Sequence, residues 1–256
     1  MKVSSSHSFA LASSGLLFVL LLWSLLSYTG LVQSFFLPTP TRVLSAMGAL
    51  LLTGSLIQDA LASTLRIAVS FALSIAIAVP VGIALGASAK FKAVADPVIG
   101  FVRYIPPSAF IPLAILWFGV GELEKIFILF MAVAPYCALL IADVALNTRR
   151  ELIDAALTLG ATNNDVITRI VFPNALPGIW DSFRIMFGIA WTFVVIAEIV
   201  GASSGLGHLM VVSQRFLRTD NIFAAILVIG LLGLATDYFF TITYRIFFPW
   251  TEKSHA

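Results

Sequence analysis

Asp181, Arg184, Gly188, Trp191, Val195 and Glu198 follow one another at alternating steps of three and four, the spacing that sets side chains on one face of a helix. They stand in a run otherwise made of Ile, Phe, Ala and Val, where an ionisable group is costly and marks a functional position. Such a stripe turns away from lipid, towards a bundle interior, a solute pathway or a partner. Arg184 would attract an anion. Glu198 would repel one and more naturally pairs with Arg66, Arg215 or Arg218. Two readings follow, an interhelical ion pair with aromatic packing or the lining of a pathway, and Arg184, Trp191 and Glu198 are the candidates for the second.

A further polar group sits beside Pro106, Pro107 and Pro112. Adjacent prolines remove backbone donors and crowd the preceding turn, so a helix must kink or break there. At membrane depth the freed carbonyls need protein or a water-filled cavity. Arg103, Tyr104 and Ser108 are therefore candidate pathway residues, with a packing kink as the plainer reading. Asp96 and Pro97 just upstream read as the N-cap and first position of that helix. Ser63, Ser70, Ser74 and the Gly82-x-x-x-Gly86 spacing read as helix-packing features. Asp143 and Asp237 are expected to pair with Arg149, Arg103 or Arg245.

The longest polar interruption is "RRELIDAALTLGATNNDVITRIVFPNALPG", residues 149 to 178. Thr148 and Glu151 have capping-box spacing, and Leu152, Ala155, Ala156 and Leu159 recur on one face. Gly160 ends that helix. Thr162 with Asp165 can cap a second, whose apolar stripe of Val166, Ile167, Ile170 and Val171 is stopped at Pro173. Small residues on the first helix suit a groove, in the chain's own bundle or on a soluble partner.

These residues need elements to hold them, and composition says which. Sixty per cent of the 256 residues are hydrophobic, 11% are charged and the mean hydropathy is +1.02, so the chain's solvent is largely lipid. A span needs about 20 apolar residues. Six stretches qualify, residues 11 to 32, 61 to 87, 97 to 119, 125 to 146, 177 to 200 and 221 to 247, in one membrane domain over residues 1 to 256. The first reads as retained rather than as a cleaved signal, and Trp23, Trp117 and Trp250 fall where interface anchors belong. An all-α bundle follows, since no strand alternation appears and lipid offers a bare backbone no partner.

Ten of the fifteen Lys and Arg residues, among them Lys2, Lys90, Arg103, Arg149 and Lys253, fall on one side if both termini are cytoplasmic. Residues 147 to 176 then form a cytoplasmic loop, and residues 33 to 60 and 201 to 220 lie against the outer end. A formal charge of +2 gives no argument for nucleic acid. The single cysteine excludes an internal disulfide. His7, His208 and His255 are too scattered for a metal site. With no phosphate-cradling G-x-x-x-x-G-K-[ST] loop and no catalytic trio, the chain is not an enzyme by itself.

Asp154-Ala155-Ala156, Gly160, Ile170 and Phe172-Pro173 resemble the EAA signature of importer-type ABC transporter permeases, with Asp for Glu and Phe for Leu. "FFLPTPTRV", "PVGIALGAS", "DPVIGFVRYIPPSAFIPLAILWFGVGE" and "AEIVGASSGLGHLM" look like the nitrate, sulfonate, taurine and bicarbonate branch. The resemblance implies a type I importer permease in a bacterial plasma (inner) membrane. Asp154, Ala155, Ala156, Leu159, Gly160, Ile170 and Pro173 would form or shape the coupling contact with an ABC ATPase subunit that carries ATP and Mg. A second permease copy, in a homodimer, and a periplasmic or lipid-anchored solute-binding protein complete the implied assembly. A stand-alone secondary transporter is the alternative. It would normally show paired interrupted helices in both halves, and only one half here has the double-proline break.

Overall fold

Gly82 and Gly86 let two helices touch. A Cβ on Gly82 would lie 2.6 Å from the Ala138 carbonyl oxygen and 2.7 Å from Ile141 Cβ, and one on Gly86 would lie 2.9 Å from the Ala142 carbonyl oxygen. Small residues therefore make the seam between α3 (Ser55–Ala87) and α6 (Glu122–Leu146), as membrane helices do when hydrophobicity itself cannot drive them together. Ser70 and Ser74, both fully buried, return their hydroxyls to backbone carbonyls of Ile67 and Ser70 at 3.0 and 2.8 Å. The packing reading of both serines and both glycines holds.

The structure, a computed structural model, describes residues 5–251, with side chains from residue 13 onward. Lys2, Lys253, His255 and the His7 side chain lie outside the described residues. Regular structure among those described is helical throughout, in the order α1 (Ser5–Tyr28), α2 (Pro40–Leu52), α3, α4 (Ala89–Arg103), a 3₁₀ turn (Pro107–Phe110), α5 (Ile111–Phe118), α6, α7 (Arg150–Thr158), α8 (Asn163–Val166), a π turn (Ile167–Val171), α9 (Phe172–Ile199), α10 (Leu206–Arg215) and α11 (Thr219–Phe247).

Four stretches are long and apolar enough to cross a membrane, Ser55–Ala87, Glu122–Leu146, Asn163–Ile199 and Thr219–Phe247. The α4 and α5 pair adds a fifth, bent by 87°. These make five of the six expected spans by length and composition; the first expected span, residues 11 to 32, falls on α1, whose side chains are described only from Ser13 onward. At 33 residues, α3 is about 50 Å long by helical rise, more than the roughly 30 Å hydrocarbon layer requires.

Several boundaries differ from expectation for local reasons. The third span starts at Ala89, not at Asp96, because Ser88 accepts a bond from the Phe91 amide at 3.3 Å and caps the helix there. Pro97 is interior to α4. The double proline breaks the span as expected. Pro173 does not stop the second loop helix. It occupies the first turn of α9, directly after the π turn, where the widened backbone accommodates a ring that would crowd a regular turn. Thr148 does not cap α7. That helix begins at Arg150 with Arg149 as its cap residue, so Glu151 falls one place early and pairs with Arg149 at 3.5 Å.

The core is built on α6, whose Ile128, Leu129, Ala132, Val133, Cys137 and Ile141 are all fully buried. α3 lies parallel to it, since Gly82 meets Ala138 and Gly86 meets Ala142, and α9 antiparallel, since Gly178 meets Val144 while Gly201 beyond its end meets Val120. α11 runs antiparallel along α9, joined by Trp180 Nε1 to the Phe240 carbonyl at 3.2 Å and by a ring cluster of Phe71, Phe183, Phe187 and Phe240. Gly82→Leu would force a side chain into the Ala138 carbonyl. The expected result is a loss of about 1–3 kcal/mol, read as a lower thermal midpoint of the purified chain, while Gly100→Leu, where nothing lies within 4 Å, leaves it unchanged.

Candidate functional site

Three groups of candidates occupy different places. At one end of the bundle, Asp59, Ser63 and Arg66 fall on one face of α3 at spacings of four and three. Arg66 is 3% exposed. Its Nη1 donates to Glu198 Oε1 at 2.7 Å and to the Ser204 carbonyl at 2.7 Å. Nε and Nη2 donate to the two Glu122 oxygens, each at 2.6 Å, and Nη2 reaches Ser204 Oγ at 3.1 Å. Glu198, wholly buried, also accepts from Ser63 Oγ at 2.8 Å and from the Gly207 amide at 2.8 Å.

The segment after α9 is thereby pinned. The Gly205 amide donates to Asp59 Oδ1 at 2.8 Å and the Leu206 amide to Ser63 Oγ at 2.9 Å. With Glu198 on Gly207, these bonds satisfy amides at the start of α10 that no turn of its own can reach, and they place carboxylates at its positive end. Only glycine fits at 205. Its φ is +116°, and a Cβ would collide with the Glu198 carboxyl group and approach Arg66 Nη1 at 2.5 Å. Of the three bases that could have paired with Glu198, Arg66 does. Arg218 instead lies 3.8 Å from Asp220.

The rest of the α9 stripe faces elsewhere. Arg184 Nε lies 3.1 Å from Asp237 Oδ1 and its Nη1 3.4 Å from Thr241 Oγ1, both on α11. Trp191, 3% exposed, donates to Thr236 Oγ1 at 3.3 Å, again on α11. Asp237 therefore pairs with Arg184 rather than with Arg149, Arg103 or Arg245, because the antiparallel helices bring 184 and 237 to the same level. Asp143 is exposed and makes no ion pair among the described residues.

Arg103 and Tyr104 lie at the end of α4, next to the bend. The Tyr104 ring covers the guanidinium, 4.8 Å from its centre, and Arg103 Nη2 donates to Tyr104 Oη at 2.9 Å. Tyr136 on α6 donates to the Arg103 carbonyl at 2.9 Å, meeting one of the groups the prolines leave free. Ser108 is exposed on the 3₁₀ turn beyond.

The opposite end carries α7. Gly160, at φ +87°, closes it in a Schellman arrangement: the Gly160 amide donates to the Leu157 carbonyl and the Ala161 amide to the Ala156 carbonyl, both at 3.0 Å. The inner face of α7 is Ile153 and Ala156, which pack with Ala161 and Ile167 against the core. Leu152, Asp154, Ala155 and Leu159 face outward, Leu159 at 88% exposure. The expected stripe is thus divided, with Ala156 inward and its apolar neighbours outward. Thr162 and Asp165 form the expected capping box. Ile170 is half-buried and Pro173 exposed. Behind the loop is a cavity of about 480 Å³, lined by Thr148, Arg150, Ile153 and Asn163 among others.

Sequence reasoning missed Glu122, Asp59 and the role of Ser63 in the Arg66 cluster. The i, i+4, i+7 run of Asp59, Ser63 and Arg66 was the available signal.

Residues 76–253 match the family model described as "Binding-protein-dependent transport system inner membrane component". A probable ABC transporter permease protein of Brucella abortus (strain 2308) is 36% identical over 232 residues, 91% of this chain and 92% of that protein. The taurine transport system permease protein TauC of Escherichia coli (strain K12) is 32% identical over 245 residues, 93% of this chain and 89% of that one. Among solved structures, an inward-facing conformation of the MetNI methionine ABC transporter superposes with a TM-score of 0.63 at 21% identity, covering 75% of this chain and 97% of that chain. The fold is that of type I importer permeases.

Removing one member of a buried pair strands the other, so Arg66→Leu should cost about 3–5 kcal/mol. The Arg66→Leu, Glu198→Leu double variant should lose less than the two single variants summed. Chemical or thermal unfolding of the four proteins measures both, and an Arg66→Leu loss below about 1 kcal/mol, the range of an exposed pair, would remove the cluster from the stability account.

Proposed function

The chain belongs to the family of binding-protein-dependent transport system inner membrane components, and from that premise we propose that it forms the translocation pathway of an ATP-driven importer for a small anionic solute. Two copies would enclose the pathway, a solute-binding protein would deliver cargo, and separate ATPase subunits, carrying ATP and Mg, would dock on α7. The taurine permease among its relatives points to sulfonates as the solute class.

One observation carries the ATPase reading, the exposed side of α7. Leu152, Ala155 and Leu159 form an apolar strip next to the Asp154 carboxylate. Ile153 and Ala156 fasten the helix to the bundle from behind. An exposed apolar helix face held rigidly by its reverse side suits a groove on a partner. Beyond Gly160 the chain turns once and enters a helical course from Asn163 to Ile199 that includes the π turn. Displacement at α7 would therefore reach Glu198 along one element. ATP-driven closure of the ATPases would bias the bundle between inward-open and outward-open states through their differential contact with this loop. Arg103, Tyr104 and Ser108 beside the bend are the proposed pathway residues. Arg184, Trp191 and Glu198 contribute by holding α9 against α11 and α3.

Leu159→Glu tests this reading, since a residue so exposed can change without disturbing the fold. The variant should remain folded and should lose ATPase co-purification and ATP-driven uptake by at least about tenfold, the effect of an interface anchor worth more than 1.4 kcal/mol. Unchanged co-purification with unchanged uptake contradicts docking at α7. Uptake by the wild type that proceeds without ATP would favour the stand-alone secondary transporter.

A further inference from the structure

Among the described residues of the spans, Arg66 and Arg184 lie well inside their helices, Lys125 lies in the first turn of α6, and Arg103 lies at the bend. Arg66 bonds Glu122 and Glu198, Lys125 lies 3.1 Å from Glu124, and Arg184 lies 3.1 Å from Asp237. Arg103 has no carboxylate partner among the described residues. Its Nε is enclosed and makes no hydrogen bond. Its visible interactions are both with Tyr104, a neutral phenol that is 74% exposed.

A cation at membrane depth needs a counter-charge or a water-filled route. The bend is a position where such a route can border the backbone. The chain bends by 87° between α4 and α5, and non-helical backbone at this depth persists where it borders protein or an aqueous cavity. Tyr104 occupies one guanidinium nitrogen and covers the plane, leaving Nε as a spare donor. The Nε and Nη2 edge of a guanidinium is the fork that binds two oxygens of a carboxylate, sulfonate or phosphate at once. Rotation of the exposed Tyr104 side chain would open that edge.

We propose that Arg103, sheltered by Tyr104 at the bend, is the anion-recognition group of the pathway and takes sulfonate-class solutes through its Nε and Nη2 edge. Arg184, the more obvious candidate from its place on the α9 stripe, already has a carboxylate partner. The proposal rests on the importer reading above and assigns the solute's negative charge to one side chain.

The test uses the full complex, with its ATPase and solute-binding protein, in proteoliposomes, and radiolabelled taurine and methanesulfonate as probes. Arg103→Gln should reduce ATP-driven uptake at sub-saturating solute by at least about tenfold, the loss of a charge-assisted pair of hydrogen bonds. Arg103→Lys keeps the charge without the fork and should fall between Gln and wild type. Co-purification of the ATPase shows that each variant complex is assembled. Wild-type uptake with the assembled Arg103→Gln variant transporting both probes within twofold of it overturns the proposal and leaves the importer reading intact. Disassembly in both variants would assign Arg103 an ion pair between subunits and overturn it as well. If the wild type imports neither probe, the sulfonate reading fails, and the proposal with it.

Discussion

A guanidinium enclosed in a membrane bundle must be surrounded by acceptors, and the five hydrogen bonds made by Arg66 govern how three long helices can move. They join α3 to α6 through Glu122, to α9 through Glu198 and to the loop before α10 through Ser204. Charge-assisted bonds in a low-dielectric setting are strong when complete and costly when one partner is withdrawn. The end of the bundle around Arg66 therefore behaves as one body. Glycine at 205 and 207 is part of the same constraint, since a side chain at either would occupy space held by Glu198.

The opposite end is built differently. α7 is a nine-residue helix closed by Gly160, and its outward face is left uncovered by the described residues. Close packing of Gly82 and Gly86 on α6 brings α3 past the base of this loop. The π turn and Pro173 let the loop run into α9 without a stop. One end is thus locked by buried charge and the other presents a rigid apolar handle, and the α9 helix connects them.

Fold class was legible because lipid allows few alternatives to helices, and the broken third span because two adjacent prolines leave a helix no choice. The Gly160 terminus and the Thr162 cap were legible for the same reason, each being a local rule with one good solution. Boundaries set by neighbours were not. Pro173 looks like a stop until the turn before it is seen to widen, and Asp96-Pro97 looks like a helix start until Ser88 is seen to cap first. Pairing was the least legible. Glu198 had three candidate bases and Asp237 had three wrong ones, since the identity of a partner depends on which helices lie side by side. Glu122 drew no notice because a carboxylate in the first turn of a helix is ordinary by sequence, and only the fold sets it against Arg66.

The charge pattern ties these parts together: span-embedded cations that hold the architecture have carboxylates, and Arg103 at the bend has a phenol. At the other end, the exposed face of α7 is where we propose that a separate ATPase acts. Hydrogen exchange on the purified chain, with and without its ATPase subunits, tests it most directly. Slowed exchange confined to residues 150 to 161 on addition of the ATPase is the predicted result. Unchanged exchange there, with the complex intact, would contradict it.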